Sequence, residues 1–188
     1  MNLASSFAST NFKTILVNLD LRKKNKQFAA LYENAPLVGL SSYLIKQASV
    51  QDIIMRTKIE NLDIIQNTDL PPNPVNLLAS DTLRELFVYL RKNYDYIFID
   101  SPPFGVVADS FLLMEHADLT VYVSRAGYTM KKLLKQSVDE IESKNIENVY
   151  QLYNDIGRID KPYEQKYAYT YSRQSKQNFI KRLFRRTA

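Results

Sequence analysis

Apolar and polar positions fall into alternating blocks of two kinds along the chain. Short, β-rich apolar runs at Thr14–Leu19 (TILVNL), Leu62–Gln66, Tyr96–Asp100 (YIFID), Leu119–Ser124 and Val149–Tyr153 predict strands. Between them, apolar residues recur at helical spacing. A helix remnant is expected at Asn2–Ser9, and short helices near Phe28–Tyr32, at Gly39–Lys46 and at Val50–Met55. Longer helices are expected across Thr82–Asn93, Asp109–His116 (with Asp109 as N-cap) and Met130–Lys144. Strands separated by helices imply right-handed crossovers, hence an α/β fold with a doubly wound, mainly parallel sheet. Tyr96–Ile99 is too short and too apolar for a surface helix and suits a strand buried on both faces. Thr68–Pro74 (TDLPPNP) holds three prolines and reads as a stiff, non-helical loop.

The regular pattern stops near Asp155, which divides the chain into a domain at residues 1–157 and a flexible tail at 158–188. The tail carries Tyr163, Tyr167, Tyr169 and Tyr171 in a polar setting with no apolar partner run. At its end, Phe179, Ile180, Leu183 and Phe184 stand at helical spacing among basic residues. That composition fits a weak membrane-surface helix and, equally, a solvated basic end.

Composition narrows the classes. The 188 residues are 45% apolar and 24% charged, as in a globular domain. No run has the length and apolarity of a membrane span, and the amino terminus has no signal-peptide pattern. The absence of cysteine excludes disulfides and thiolate metal sites and accords with a cytosolic setting, and the single histidine, His116, excludes a multi-histidine zinc site. The net charge of +5 is uneven: residues 161–188 carry eight Lys or Arg against one Glu, leaving 17 basic and 19 acidic residues elsewhere. The near-neutral body argues against a nucleic-acid face, while the basic tail suits acidic lipid, phosphate or an acidic partner.

Two strand ends carry candidate chemistry. Asp100 closes YIFID and is followed by Ser101-Pro102-Pro103, which stops the strand. A carboxylate at the carboxyl end of a strand in an open α/β sheet lies where such sheets bind ligands and can hold Mg²⁺. Asp20-Leu21-Arg22 follows TILVNL in the same way, with Lys23, Lys24 and Lys26 after it. An acid and an arginine there can serve Mg²⁺, polarise a hydroxyl or steady phosphate charge.

The ordered series ILVNLDLR, GLSSYL, LPPNPVNLL, YDYIFIDSPP, VYVSRAGYTMKKLL and YNDIG, ending in a tyrosine cluster, resembles the bacterial tyrosine kinases (BY-kinases). These are catalytic domains of the capsular and exopolysaccharide co-polymerases. The resemblance implies a P-loop NTPase fold related to the MinD/ParA group, use of ATP and Mg²⁺, and trans-autophosphorylation between neighbouring copies. It also implies an inner-membrane activator and a cytoplasmic location at the inner membrane face. By the same resemblance Asp100 is the Walker B aspartate and Mg²⁺ ligand. Asp20 is the second acid of Walker A′, near Mg²⁺ and the tyrosine hydroxyl, and Arg22 follows it. Asn154 reads the adenine edge, and Tyr163, Tyr167, Tyr169 and Tyr171 are the phosphorylated cluster.

Two departures accompany the matches. No G-x-x-x-x-G-K-[ST] occurs among the 188 residues, and Asn18 stands where Walker A′ usually has its first acid. The expectation is therefore a kinase domain lacking its first strand and P-loop, inactive by itself. The alternatives are a non-catalytic, membrane-associated phospho-acceptor module and a MinD/ParA-type ATPase.

Overall fold

The computed structural model describes residues 2–23, 32, 37–103 and 109–156. The expected helix near Phe28–Tyr32 falls outside these residues except for Tyr32, and the tyrosine cluster and basic tail fall outside them entirely. The elements are α1 (Asn2–Ala8), β1 (Thr14–Asn18), α2 (Leu40–Leu44), α3 (Val50–Ile53), β2 (Met55–Arg56), β3 (Leu62–Ile65) and α4 (Pro74–Leu78). They continue as α5 (Asp81–Asn93), β4 (Tyr96–Asp100), α6 (Asp109–Met114), β5 (Thr120–Arg125), α7 (Lys131–Ser143) and β6 (Val149–Asn154). The described residues separate into two compact units, one within residues 2–120 with 145–148, and one of residues 121–144 with 149–156.

In the first unit four strands lie in the order β2-β3-β1-β4. β1 runs parallel to β3 and to β4, with Thr14 opposite Leu62 and Tyr96 and with Asn18 opposite Asp100, whereas β2 is antiparallel. All five residues of β1 are buried. Its alternation divides the core. Ile15 and Val17 join Leu40, Ile53, Leu83, Leu86 and Leu90 on one face, and Leu16 joins Ala4, Ala8, Leu62 and Ile64 on the other. Phe7 of α1 meets the rings of Tyr96 and Phe98 edge-on at centroid distances of 4.5 and 5.2 Å, so Tyr96, Phe98 and Asp100 occupy the α1 face.

α5 forms for reasons visible in its sequence. Ser80 accepts a hydrogen bond from the Leu83 amide at its start, Asp81 lies in the first turn, and Arg91 and Lys92 lie in the last. Leu83, Leu86, Phe87 and Leu90, at helical spacing, are the buried stripe that faces the sheet. At the next residue, Tyr94, the backbone turns extended and its hydroxyl donates to Asp63 Oδ2 at 2.7 Å.

The second unit pairs β5 with β6. On one face Tyr122 reaches Ser137 of α7, and Gln151 Nε2 donates to Ser124 Oγ at 2.9 Å. Val121, Val123, Tyr150 and Leu152 remain exposed.

The α/β fold with a mainly parallel sheet is as expected, the described strands pairing as a sheet of four and a sheet of two. Three expectations need correction. β4 is only half-buried at every position, because it is an edge of the four-stranded sheet; β1 is the strand buried on both faces. The helix expected through Met55 ends at Ile53, since Met55 and Arg56 pair with Ile64 and Asp63. Pro74 opens α4 instead of ending a loop, in the first turn where proline's missing N–H costs nothing.

Candidate functional site

The carboxyl ends of β1 and β4 meet, and the predicted acids meet with them. The Leu19 amide donates to the Asp100 carbonyl at 2.8 Å, extending the pairing one residue beyond β1. Leu19 and Leu21 are fully buried, so the residues between and after them, Asp20 and Arg22, are turned away from that core. Two local bonds set the turn: the Asp20 amide donates to Asn18 Oδ1 at 3.1 Å, and the Arg22 amide to Asp20 Oδ1 at 3.3 Å. Asn18 is thus a buried structural acceptor that holds Asp20 in place, and it stands beside Asp100 in the ladder.

Partial burial raises the Asp100 carboxyl above the usual aspartate range, and the neighbouring Asp20 charge adds to that rise. The arrangement resists two negative charges at one place, which a cation would relieve. No group of three or more His, Cys, Asp or Glu able to hold a metal occurs among the described residues. The donors are two carboxylates and an amide oxygen, all hard, and Mg²⁺ commonly binds through one or two carboxylates with the remaining positions filled by water and phosphate. The residues therefore fit Mg²⁺ and are too few for an all-protein cage.

Beyond Asp20 the turn forms one wall of a cleft of about 530 Å³. Leu21 and Arg22 face the Leu70–Asn76 run across it. In the sequence this run is a stiff connector and, within LPPNPVNLL, one of the motifs of the family resemblance; its prolines were the signal that a fixed wall stands there. The carboxyl end of β3 is closed by close packing. The Leu40 amide donates to the Gln66 carbonyl at 2.9 Å and the Ser41 amide to Asn67 Oδ1 at 3.1 Å. A Cβ on Gly39 would lie 2.5 Å from the Thr68 backbone nitrogen.

Asn154 ends β6 in the second unit, where its Oδ1 accepts from the Asp155 amide at 2.8 Å and Arg125 pairs with Asp155 at 2.9 Å. Of the predicted site residues, then, Asp20, Arg22 and Asp100 come together in the first unit, and Asn154 is described only in the second. Tyr163, Tyr167, Tyr169 and Tyr171 lie outside the described residues. His116 follows α6 and stacks on Phe87 at a centroid distance of 4.8 Å, away from any predicted chemistry.

A mainly parallel α/β sheet with acids at the ends of two adjacent strands is a frame that builds ligand sites at its strand ends, and comparison narrows the family. A family model described as an AAA domain matches residues 1–152. Tyrosine-protein kinase CpsD of Streptococcus pneumoniae is 30% identical over 142 residues, 76% of this chain and 62% of that protein. The kinase domain of VpsO superposes with a TM-score of 0.72 at 30% identity, covering 80% of this chain and 72% of that one. The septum site-determining protein MinD of Pyrococcus horikoshii, complexed with Mg-ADP, shares the fold at a TM-score of 0.67 and 22% identity, over 85% of this chain and 64% of that one. The chain belongs to the AAA-domain family and, within it, to the bacterial tyrosine kinases. It spans 62% of the length of CpsD.

Proposed function

We propose that this chain is the core of an ATP-dependent protein-tyrosine kinase acting on the tyrosine cluster of a neighbouring copy, in a system that makes and exports capsule or exopolysaccharide. The observation that carries this reading is the meeting of Asp20 and Asp100 at the ends of two paired parallel strands. Bound Mg²⁺ would neutralise charge on the transferring phosphate. Asp100, with Asp20 beside it, would hold the ion. Asp20 would also accept the phenolic proton as the tyrosine oxygen bonds to the γ-phosphorus, while the bond to the β-γ bridging oxygen breaks and ADP leaves. Arg22 would steady phosphate charge, and Asn154 would read the adenine edge. The family relationship supports an inner-membrane activator as partner and a place at the cytoplasmic face of the membrane. No helix among the described residues is long and apolar enough to cross a membrane.

The 188-residue sequence contains no G-x-x-x-x-G-K-[ST], and we infer that it transfers no phosphate by itself. That same observation favours the second reading, a phospho-acceptor module modified by an intact kinase. The test is an incubation with Mg²⁺ and labelled ATP. One sample holds the chain alone, and the other a version extended at its amino end by a strand and a G-x-x-x-x-G-K-[ST] loop. Phosphotyrosine between residues 163 and 171 in the extended version alone is the expected result. ATP hydrolysis without phosphotyrosine would replace the kinase reading with a MinD/ParA-type ATPase.

A further inference from the structure

We propose that the turn after β5 and the first turn of α7 form a contact surface for an anionic lipid membrane. The surface deepens the membrane placement in the proposed function, on which its cellular setting rests, and it does not depend on phosphate transfer. All of its residues belong to the second unit.

Between Asp118 and Asp139 the chain carries no acid and four cations, in a body that is otherwise near neutral. Arg125 is offset by Asp155, with which it pairs at 2.9 Å. Lys131, Lys132 and Lys135 are exposed and make no ion pair among the described residues. These lysines are set against their own helix. α7 begins with Lys131 and Lys132, has no acid in its first turn and no cation in its last, and carries Asp139, Glu140 and Glu142 in its second half. That order opposes the helix dipole, which favours acids at the start and cations at the end. Lys131 and Lys135, four residues apart, also repel each other. The N-cap is Met130, whose side chain makes no capping bond. Folding gains nothing from this charge pattern, and an external anionic surface would relieve it.

Apolar side chains are held at the same place. The Thr129 amide donates to the Arg125 carbonyl at 2.9 Å, and Thr129 Oγ1 accepts from the Arg125 amide at 2.9 Å, so the turn is fixed at both ends. Gly127 has φ +68°, and nothing stands within 4 Å of where its Cβ would be, so the turn projects into open space. Tyr128 and Met130 are 78% and 62% exposed, and Leu133 is 41% exposed. Lys131, Lys132 and Leu133 step about 100° apart around the first turn, which sets cations around an apolar tip. A broad anionic bilayer surface matches both features. Tyr128 and Met130 can enter the boundary between headgroups and acyl chains while the ammonium groups stay at the phosphate level. Tyrosine suits that boundary, with an apolar body and a polar end. A free phosphate would engage the cations and leave Tyr128 and Met130 uncovered.

The test is vesicle sedimentation with the full 188-residue chain and no ATP. The chain is expected to bind phosphatidylcholine vesicles that contain phosphatidylserine, and to bind pure phosphatidylcholine about tenfold more weakly or less. Lys131→Gln with Lys132→Gln should weaken binding about twentyfold, since each cation near such a surface contributes about fivefold. Glutamine has nearly the helix propensity of lysine, and the variant removes charge that opposes the dipole, so without vesicles it should melt no lower than the parent. Tyr128→Ser with Met130→Ser should weaken binding about tenfold, and serine at 130 is a preferred N-cap, so the helix is kept. Lys58→Gln with Lys92→Gln removes the same charge from exposed positions of the first unit and should change binding less than about twofold. Equal binding to both kinds of vesicle, unchanged binding by either patch variant, a lower melting temperature of the lysine variant, or displacement by inorganic phosphate at constant ionic strength would each overturn the proposal. Binding lost only with Phe179→Ser and Phe184→Ser would move the contact to the tail, which overturns this surface and leaves the membrane placement standing. The kinase test runs without vesicles and this one without ATP, so either reading can fail alone.

Discussion

Replacing Gly39 with alanine measures how tightly the carboxyl end of β3 is closed. The backbone there is extended, φ −131° and ψ −173°, a conformation open to any residue, so the effect of the added methyl is steric alone. The new Cβ would stand 2.5 Å from the Thr68 nitrogen and 2.7 Å from the Gln66 oxygen, against the 3.0 Å that real contacts respect. Both are backbone atoms and cannot swing aside, so the start of α2 and the end of β3 must part by about 0.5 Å. Parting them strains the Leu40–Gln66 and Ser41–Asn67 hydrogen bonds together. Overpacking of this kind costs about 1–3 kcal/mol and a weakened hydrogen bond about 1 more. The stiffer unfolded chain returns about 0.4–1 kcal/mol. The net is a loss of about 2 kcal/mol, which at a urea m-value of about 1–3 kcal/mol/M lowers the unfolding midpoint by roughly 1 M. Urea unfolding followed by circular dichroism reads this shift. A midpoint within about 0.2 M of the parent would refute the closure argument.

Other outcomes follow from the same structure. Asp100 has a raised carboxyl pKa in the fold, so the folded state holds its proton more firmly than the unfolded chain does. Stability then falls as pH climbs from the ordinary aspartate value of about 3.9 through the raised one, and the loss is complete above it. Asp100→Asn should melt higher than the parent at neutral pH without Mg²⁺, with the gap closing near about pH 3; a constant gap across pH would contradict this. Asn18→Asp places a third carboxylate beside Asp100, so it should lower neutral-pH stability without Mg²⁺ and tighten Mg²⁺ binding several-fold, read as a larger Mg²⁺-induced rise in Tm. Tyr94→Phe deletes the 2.7 Å bond to Asp63 and should cost about 1–2 kcal/mol in thermal unfolding, the low end for a bond to a charged group because the pair is half-buried.

What the sequence revealed follows the length and regularity of each signal. β1, β3 and β4 announced themselves as apolar runs, and Ser80 with the 83-86-87-90 stripe announced α5. Asp20 and Asp100 were legible because each ends such a run. β2 is two residues long, too short for any periodicity, and only its pairing with Ile64 and Asp63 makes it a strand. Pro74 misled because a proline that breaks a helix and one that opens it look alike until the residues after it are packed. The role of Asn18 was hidden for another reason. A missing charge is visible in a sequence, but a bond that its amide oxygen accepts from the backbone N–H two residues on is not.

β4 touches β1 along one edge only, and that has a signature in time. Successive residues of a parallel strand send their N–H groups to opposite sides. The Tyr96 amide bonds to Lys13 and the Asp100 carbonyl accepts from Leu19, which puts the amides of Tyr96, Phe98 and Asp100 on the β1 side. The amides of Ile97 and Ile99 therefore point to an edge with no strand beside it among the described residues. Deuterium should enter at Ile97 and Ile99 quickly and at Phe98 slowly, giving a comb-like exchange pattern within one five-residue strand. Any extended segment that settles on this edge would slow the fast teeth of the comb and leave the slow ones as they are. The exchange record of two isoleucine amides is thus a reporter of whether the sheet has gained a strand.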